Sequence, residues 1–217
     1  MIILSPSLLA SDFANLESEI KKVYDAGCEY LHLDIMDGVF VNNISFGLPV
    51  ISSIRKVCDI IFDVHLMIAR PARYIKEFAE AGADIINFHV EACESNGEIY
   101  AALDLIKACG KKCALTIKPG TPAETLAPFL DKLNMTLVMS VEPGFGGQKF
   151  IENSLEKIKY LHEIKHANNY KFDIEIDGGV NFENIARIKQ AGANIIVAGS
   201  SIFGAPDVKS AVNALRG

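Results

Sequence analysis

Four stretches of this chain close a helix-like pattern on glycine and then open a strand-like one: DAGCEYLHLDI, EAGADIINFHV, KACGKKCALTI and QAGANIIVAGS. A glycine just past a helix end supplies the left-handed cap. The marking glycines, Gly27, Gly82, Gly110 and Gly192, stand 55, 28 and 82 residues apart. Those gaps are close to two, one and three multiples of about 27 residues, the length of one strand, one helix and two short loops. A chain of 217 residues holds about eight such units.

The apolar runs supply the same count. Strands are expected over 2–9, 30–36, 60–67, 84–90, 112–118, 135–141, 172–177 and 194–199. Helices are expected over 14–26, 72–81, 97–109, 152–165 and 182–191; in the first of them Leu16, Ile20 and Val23 form a helical stripe. Several strand candidates are near-continuous apolar runs, as in parallel α/β sheets, whose strands are buried on both faces. Eight alternating βα units point to an α/β fold of the (β/α)8, or TIM, barrel kind, with an open doubly wound sheet as the alternative. No linker or low-complexity tract interrupts the pattern, so residues 1–217 are expected to form a single domain.

Composition narrows the class of function. The net charge is −6 and no Lys/Arg block is present, which argues against nucleic acid and anionic membrane as partners. No apolar run reaches the roughly 18 residues that a membrane span needs. The opening MIILSPSLLASDF lacks the positive charge that starts a signal peptide. Cys28, Cys58, Cys93, Cys109 and Cys113 are odd in number and form no C-x-x-C, a pattern suited to reduced, mostly buried thiols in the cytoplasm.

In a barrel the chemistry sits at the C-terminal ends of the strands. There the sequence places Ser7; His32 and Asp34; His65 and Met67; His89 and Glu91; Lys118; Met139, Ser140 and Glu142; Asp177; and Gly199, Ser200 and Ser201. His32 and Asp34 are two apart, so on a strand they point to one side. With His65 and Asp177 they make two imidazoles and two carboxylates, a plausible site for Zn²⁺, Fe²⁺, Mn²⁺ or Co²⁺. The plain alternative makes the histidines hydrogen-bonded core residues and the aspartates turn or cap residues. Asp37, followed by Gly38 just past a strand, reads as a turn.

EPGFGGQKF, DGGV and AGSSIFG follow strands six, seven and eight. None is a nucleotide-binding fingerprint. Backbone N–H groups at such turns can bind a phosphate dianion without Lys or Arg, or the loops are tight turns only. Met36, Met67 and Met139 are either core filler or soft packing around a ligand. Lys118 is the residue a Schiff-base aldolase would use, but KPG followed by Thr121 and Pro122 reads as a turn leading to a helix start.

Taken in order, SPSLLASDF, LHLDIMDGVFV, DVHLMI with RPARYI, FHVEA, TIKPGTP, LVMSVEPGFGGQKFI, EIDGGVN and VAGSSIF resemble the ribulose-phosphate 3-epimerase family from Ser5 to about Phe203. The segment 39–49 departs from it at Val39, Asn42 and Leu48, where the family more often shows a histidine and prolines. The resemblance implies a TIM barrel of the ribulose-phosphate binding type. It implies an isomerase of the pentose phosphate pathway that interconverts D-ribulose 5-phosphate and D-xylulose 5-phosphate at C3. Proton transfer between two carboxylates would pass through a metal-stabilised enediolate. By position, the resemblance assigns one divalent cation per chain to His32, Asp34, His65 and Asp177, with Asp34 and Asp177 as the acid/base pair. It gives substrate contacts to Ser7, His65, Gly144, Phe145, Gly146, Gly147, Gly178, Gly179, Gly199 and Ser200, with Met36, Met67 and Met139 lining the pocket. A cytoplasmic homo-oligomer, dimer or hexamer, is the assembly it suggests. A 3-epimerase for a related phosphate such as D-allulose 6-phosphate is the nearest alternative.

Overall fold

A computed structural model describes residues 2–217. Its strands are β1 (Ile3–Pro6), β2 (Tyr30–Met36), β3 (Ile61–Met67), β4 (Ile85–His89), β5 (Lys112–Ile117), β6 (Met135–Met139), β7 (Asp173–Asp177) and β8 (Ile195–Ala198). All eight strand candidates are present, most of them trimmed by a residue or more at their ends. The helices are α1 (Leu16–Asp25), α2 (Leu48–Ile54), α3 (Ile75–Ala81), α4 (Asn96–Ala108), α5 (Ser154–Ala167), α6 (Ile185–Ala191), α7 (Ser200–Phe203) and α8 (Val208–Arg216). Two connections differ from the expected pattern. A short helix, α2, starts on Leu48 and Pro49, and a ten-residue 3-10 segment, Ala123–Lys132, replaces an α-helix between β5 and β6. Pro128 sits inside that segment, has no N–H to donate, and disfavours a regular α-helix there.

The strands are parallel and run in the order β1-β8-β7-β6-β5-β4-β3-β2. A parallel bridge between Ser7 and His32 joins β1 to β2 and closes the ring. The sheet is therefore a (β/α)8 barrel, not the open doubly wound alternative. The glycines that mark the repeat all have positive φ, from 72° at Gly110 to 118° at Gly82, and Gly82 and Gly192 cap α3 and α6 directly.

Alternation along the strands divides the molecule into an outside and an inside. Outward residues, among them Leu31, Leu33, Phe62, Val64, Leu66, Phe88, Leu115, Val138, Ile174 and Ile196, pack with the helices into one large apolar core. Ile20, Phe78, Leu103, Phe129, Leu161, Ile188 and Leu215 are the helical side of it. Inside the ring the layer at the N-terminal ends of the strands is apolar: Tyr30, Ile85, Ala114, Met135 and Ile195, with Ile3 and Ile61 against them. β6 and β8 continue apolar above it with Leu137, Met139 and Val197. Among these the buried interior turns polar, with Ser5, His32, Asp63, Asn87, Thr116 and Glu175, and then Ser7, Asp34, His65 and His89, with Asp177 half-buried at the top.

Candidate active site

β2 and β3 are in register, with His32 opposite Asp63 and Asp34 opposite His65. The alternation that sends Leu31 and Leu33 outward sends His32 and Asp34 inward. His32 Nε2 lies 3.2 Å from His65 Nδ1 and 3.3 Å from Asp34 Oδ1, and His65 Nδ1 lies 3.1 Å from the same Asp34 oxygen. These three atoms form a triangle on which Asp177, from the end of β7, also converges; one atom of each of the four side chains lies within 4.8 Å of the others. Ser7 Oγ donates to the second Asp34 oxygen at 2.7 Å and sets the plane of that carboxylate.

The donor set passes a geometric and an electrostatic test for a cation. Ligand atoms each about 2.0–2.1 Å from one tetrahedral ion stand about 3.3 Å apart, close to the sides of this triangle. The pocket also draws positive charge. Burial disfavours a proton on His32, yet the Asp34 and Asp63 carboxylates hold its proton affinity well above the usual imidazole value. Burial would raise Asp34, but the His32 and His65 rings outweigh it and hold that carboxyl well below the usual range. Asp177 goes the other way: burial, then the Asp34 charge, push it up to about 6. The His/Asp cluster is thus consistent with a divalent metal site, with two nitrogen and two oxygen donors.

A second tier lies below. His32 Nδ1 is 2.6 Å from Asp63 Oδ2, which fixes one proton on Nδ1 and turns Nε2 toward the cluster, where a cation would take the place of the second proton. Glu175 is fully buried beside them, and its oxygens and Asp63 Oδ1 have no other partner. Burial, then the Asp63 charge, push Glu175 well above the usual carboxylate range. As a neutral acid Glu175 can donate to Asp63, which supplies the hydrogen bond both groups otherwise lack. Neither Asp63 nor Glu175 was among the sequence candidates. The signal was available: each stands two residues before a proposed ligand, on the same face of the same strand.

Above the cluster opens a cavity of about 960 Å³, part of it open solvent. Its walls include Ser7, Asp34, Met36, Met67, Met139, Gly144, Phe145, Gly146, Gly147, Asp177, Gly178, Gly179, Gly199 and Ser200. His32 and His65 lie fully buried and do not line it. Glu142, expected at the end of the sixth strand, also faces it, as do Leu9, Ala10, Val141, Gln148 and Asn181, which the sequence did not single out. No Lys or Arg is in its wall. At its far side the first-turn N–H groups of α7, which have no intrahelical acceptor, belong to Ser200 and Ser201, both in the wall. Lys118 is not in the wall; its ammonium sits 4.0 Å from the centre of the Phe40 ring. Asp37 is the turn residue expected, and more: its carboxylate accepts from the N–H groups of Val39, Phe40 and Ala69 at 2.8–2.9 Å, tying the β2 loop to the β3 loop.

Comparison with known proteins agrees with this geometry. Solved structures of similar shape include 3-hexulose-6-phosphate synthase, with a TM-score of 0.72 at 19% identity, covering 99% of this chain and 98% of that one. Another is 3-keto-L-gulonate-6-phosphate decarboxylase from Vibrio cholerae, with a TM-score of 0.74 at 15% identity, covering 99% and 95%. At such identities the likeness concerns the fold. Sequence relatives are much nearer. Ribulose-phosphate 3-epimerase of Bacillus subtilis is 44% identical over 218 residues, spanning 100% of this chain and 99% of that protein. The chloroplastic ribulose-5-phosphate-3-epimerase of Arabidopsis thaliana is 42% identical, spanning 99% and 76%. The cytoplasmic isoform of ribulose-phosphate 3-epimerase from Oryza sativa is 44% identical, spanning 98% and 92%. With the profile of the ribulose-phosphate 3 epimerase family matching residues 3–203 as well, the chain belongs to that family.

Proposed function

We infer that this protein is a ribulose-phosphate 3-epimerase, interconverting D-ribulose 5-phosphate and D-xylulose 5-phosphate. The observation that carries the mechanism is the pairing of Asp34 and Asp177. Two carboxyl groups from β2 and β7 share one cavity, and their surroundings push them in opposite directions, Asp34 down and Asp177 up to about 6. Titratable groups pushed apart in this way suit one to act as base while the other acts as acid.

Inverting C3 requires a proton to leave one face of the carbon and another to arrive on the opposite face. A substrate lying between Asp34 and Asp177 presents one face to each. The ionised carboxylate takes the C3 proton, the protonated one delivers its own, and the reverse reaction exchanges the roles. The residues that would hold a divalent cation are His32, Asp34, His65 and Asp177, one ion per chain. The chemistry such a cation supplies is Lewis acidity, which polarises the C2 carbonyl and offsets the negative charge that develops as C3 loses its proton. Met36, Met67 and Met139 flank the carbon chain with apolar surface, Met36 and Met67 packing on Val41. The phosphate is held at Gly144–Gly147, Gly178, Gly179, Gly199 and Ser200 by backbone N–H groups rather than by a cationic side chain.

The barrel serves as a single domain over residues 1–217. Five free cysteines support a reducing, cytoplasmic location. Val39 and Ile44, both 75% exposed on the loop after β2, support a homo-oligomer, which sedimentation would test. The mechanism is tested with Asp34→Asn and Asp177→Asn. Each variant is expected to lose at least about 10²–10⁴-fold in turnover of ribulose 5-phosphate, measured by a coupled assay, with an unchanged circular dichroism spectrum. Turnover near wild type in either variant overturns the acid/base assignment.

A further inference from the structure

β4 carries a histidine that touches a metal-site residue and has no part in the proposed proton transfer. His89 is fully buried, and its Nε2 lies 2.9 Å from His65 Nε2. Its other nitrogen, Nδ1, lies 3.2 Å from Glu91 Oε2. Two nitrogens facing each other at 2.9 Å need one proton between them, and the carboxylate decides who brings it. Glu91 accepts only, so it takes the proton on His89 Nδ1 and leaves His89 Nε2 as an acceptor. The proton between the rings then belongs to His65 Nε2. His65 Nδ1 is left with a bare lone pair, 3.1 Å from Asp34 Oδ1 and 3.2 Å from His32 Nε2.

The far end of this chain is fastened so that it cannot reverse. Glu91 Oε1 accepts from the backbone N–H of Lys118 at 2.8 Å and from Thr121 Oγ1. The turn that carries both donors is held by Lys157, whose ammonium gives its three protons to the carbonyls of Lys118, Pro119 and Thr121 at 2.6–3.0 Å. Phe40 packs on His89 with ring centres 4.9 Å apart and shields it from above. A backbone N–H cannot exchange roles, so Oε1 must remain an acceptor.

We propose that Glu91 and His89 are positioning residues that set the tautomer of His65 and so present its Nδ1 as a ligand to the divalent cation. This rests on the metal reading above. A hydrogen-bonded partner behind a ligating imidazole commonly contributes about 10–100-fold in metal affinity. Glu91→Gln is nearly isosteric and makes the direct test. Its amide oxygen must face the Lys118 N–H, which puts the NH₂ group opposite His89 Nδ1. His89 would then carry its proton on Nε2, and His65 would be driven to protonate the nitrogen the cation needs. His89→Leu removes the acceptor altogether. His89→Gln keeps an acceptor near the Nε2 position and is the conservative rescue.

The measurement is Co²⁺ affinity of the full chain stripped by a chelator, read by visible absorption of the ion and by chelator competition. Glu91→Gln and His89→Leu are expected to bind about 10–100-fold more weakly than wild type, and His89→Gln within a few-fold of it. Independently of any variant, ¹⁵N NMR of the Zn²⁺-loaded wild-type chain is expected to show His89 protonated on Nδ1 and bare on Nε2. Wild-type affinity in Glu91→Gln, equal losses in the Leu and Gln variants of His89, or His89 protonated on Nε2 would each overturn the proposal while leaving the metal reading intact. A wild-type chain that binds no Co²⁺ overturns both.

Discussion

Gly179→Ala adds one methyl group where two active-site loops touch, and the structure sets its cost. Gly179 has φ +64°, in the left-handed region, where a residue with a Cβ is disfavoured by about 1–2 kcal/mol. A Cβ built there would stand 2.6 Å from Phe150 N, 2.9 Å from Gln148 O and 2.9 Å from Phe150 Cα. All three are backbone atoms of the loop after β6, so no side chain can swing clear. The closest is about 0.8 Å inside an ordinary 3.4 Å contact. Overpacking of this kind costs about 1–3 kcal/mol. The total is about 2–5 kcal/mol if the loops hold and less if they part.

The loop after β6 is fastened by Ile151 N donating to Ser140 O at 2.8 Å and by Asn43 Nδ2 donating to Gly144 O at 2.7 Å. The Gly179 carbonyl is fastened by Asn184 Nδ2 at 2.9 Å. Relief therefore comes by spreading the loops proposed to hold the phosphate, with Asp34 and Asp177 left in place. The expected outcome is a KM for ribulose 5-phosphate raised at least about tenfold with a smaller change in kcat, and a urea midpoint lowered in step with the cost above. Gly146→Ala is the control: no atom lies within 4 Å of its Cβ position and its φ is not positive, so its urea midpoint should match wild type. Gly179→Ala with wild-type midpoint and wild-type KM would refute the packing argument.

Removing the metal with a chelator should abolish turnover, and Zn²⁺, Co²⁺ or Mn²⁺ should restore it at one equivalent per chain; a fully active, metal-free sample would contradict the assignment. At a hundred times its dissociation constant the ion should add about 2.7 kcal/mol of stability, or about 5–10 °C in Tm for a chain of this size, measurable by calorimetry. Asp37→Ala strips the acceptor from three backbone N–H groups and should cost about 1–2 kcal/mol in urea unfolding, since the freed groups can reach water. Burial would raise the Asp37 carboxyl, but those N–H bonds outweigh it and hold it below the usual range. Its stabilising share is therefore present above about pH 4 and lost as pH falls through the lower folded value, so the difference between wild type and Asp37→Ala should shrink in acid.

The barrel was legible because two periods coexist in the chain. Glycine caps recur in multiples of one βα unit, and each apolar run is too short for anything but a strand. The reading stopped short where the local signal was cut or hidden. α2 opens on Leu-Pro after an irregular loop, and Pro128 breaks the helical stripe before β6. The four clustered side chains were legible from their places at strand ends. Asp63 and Glu175 share the inward face of two of those strands, but they stand mid-strand, where a carboxylate is easily passed over as an interruption of an apolar run. Only the pairing of strands shows Asp63 opposite His32. The tautomer of His65 was also beyond the sequence, since it depends on which nitrogens face each other across three strands.

The division of labour between the two faces of the sheet explains how a domain can bury this much charge. Asp34, Asp63, Glu175, His32, His65 and His89 are nearly inaccessible to water, and an unpartnered buried charge costs several kcal/mol. None of them belongs to the apolar core, which lies between the outward strand residues and the helices. Within the ring the lowest layer is apolar and the upper interior holds only scattered apolar side chains such as Leu137 and Met139, so it contributes less than the outer core to holding the fold together. Most of its charged groups are instead paired with one another, His32 with Asp63, Asp34 with Ser7, His89 with Glu91, while Glu175 and Asp63 Oδ1 are left to share a proton. The fold therefore tolerates a neutral isostere such as Asp34→Asn, which removes a buried charge and leaves the outer core untouched. A truncation outside, Phe62 or Leu66 to Ala, leaves every cluster atom present and opens a cavity costing about 2–5 kcal/mol. Changes on the inner face should thus appear in catalysis and metal affinity, and changes on the outer face in stability, although the residues concerned alternate along the same strand.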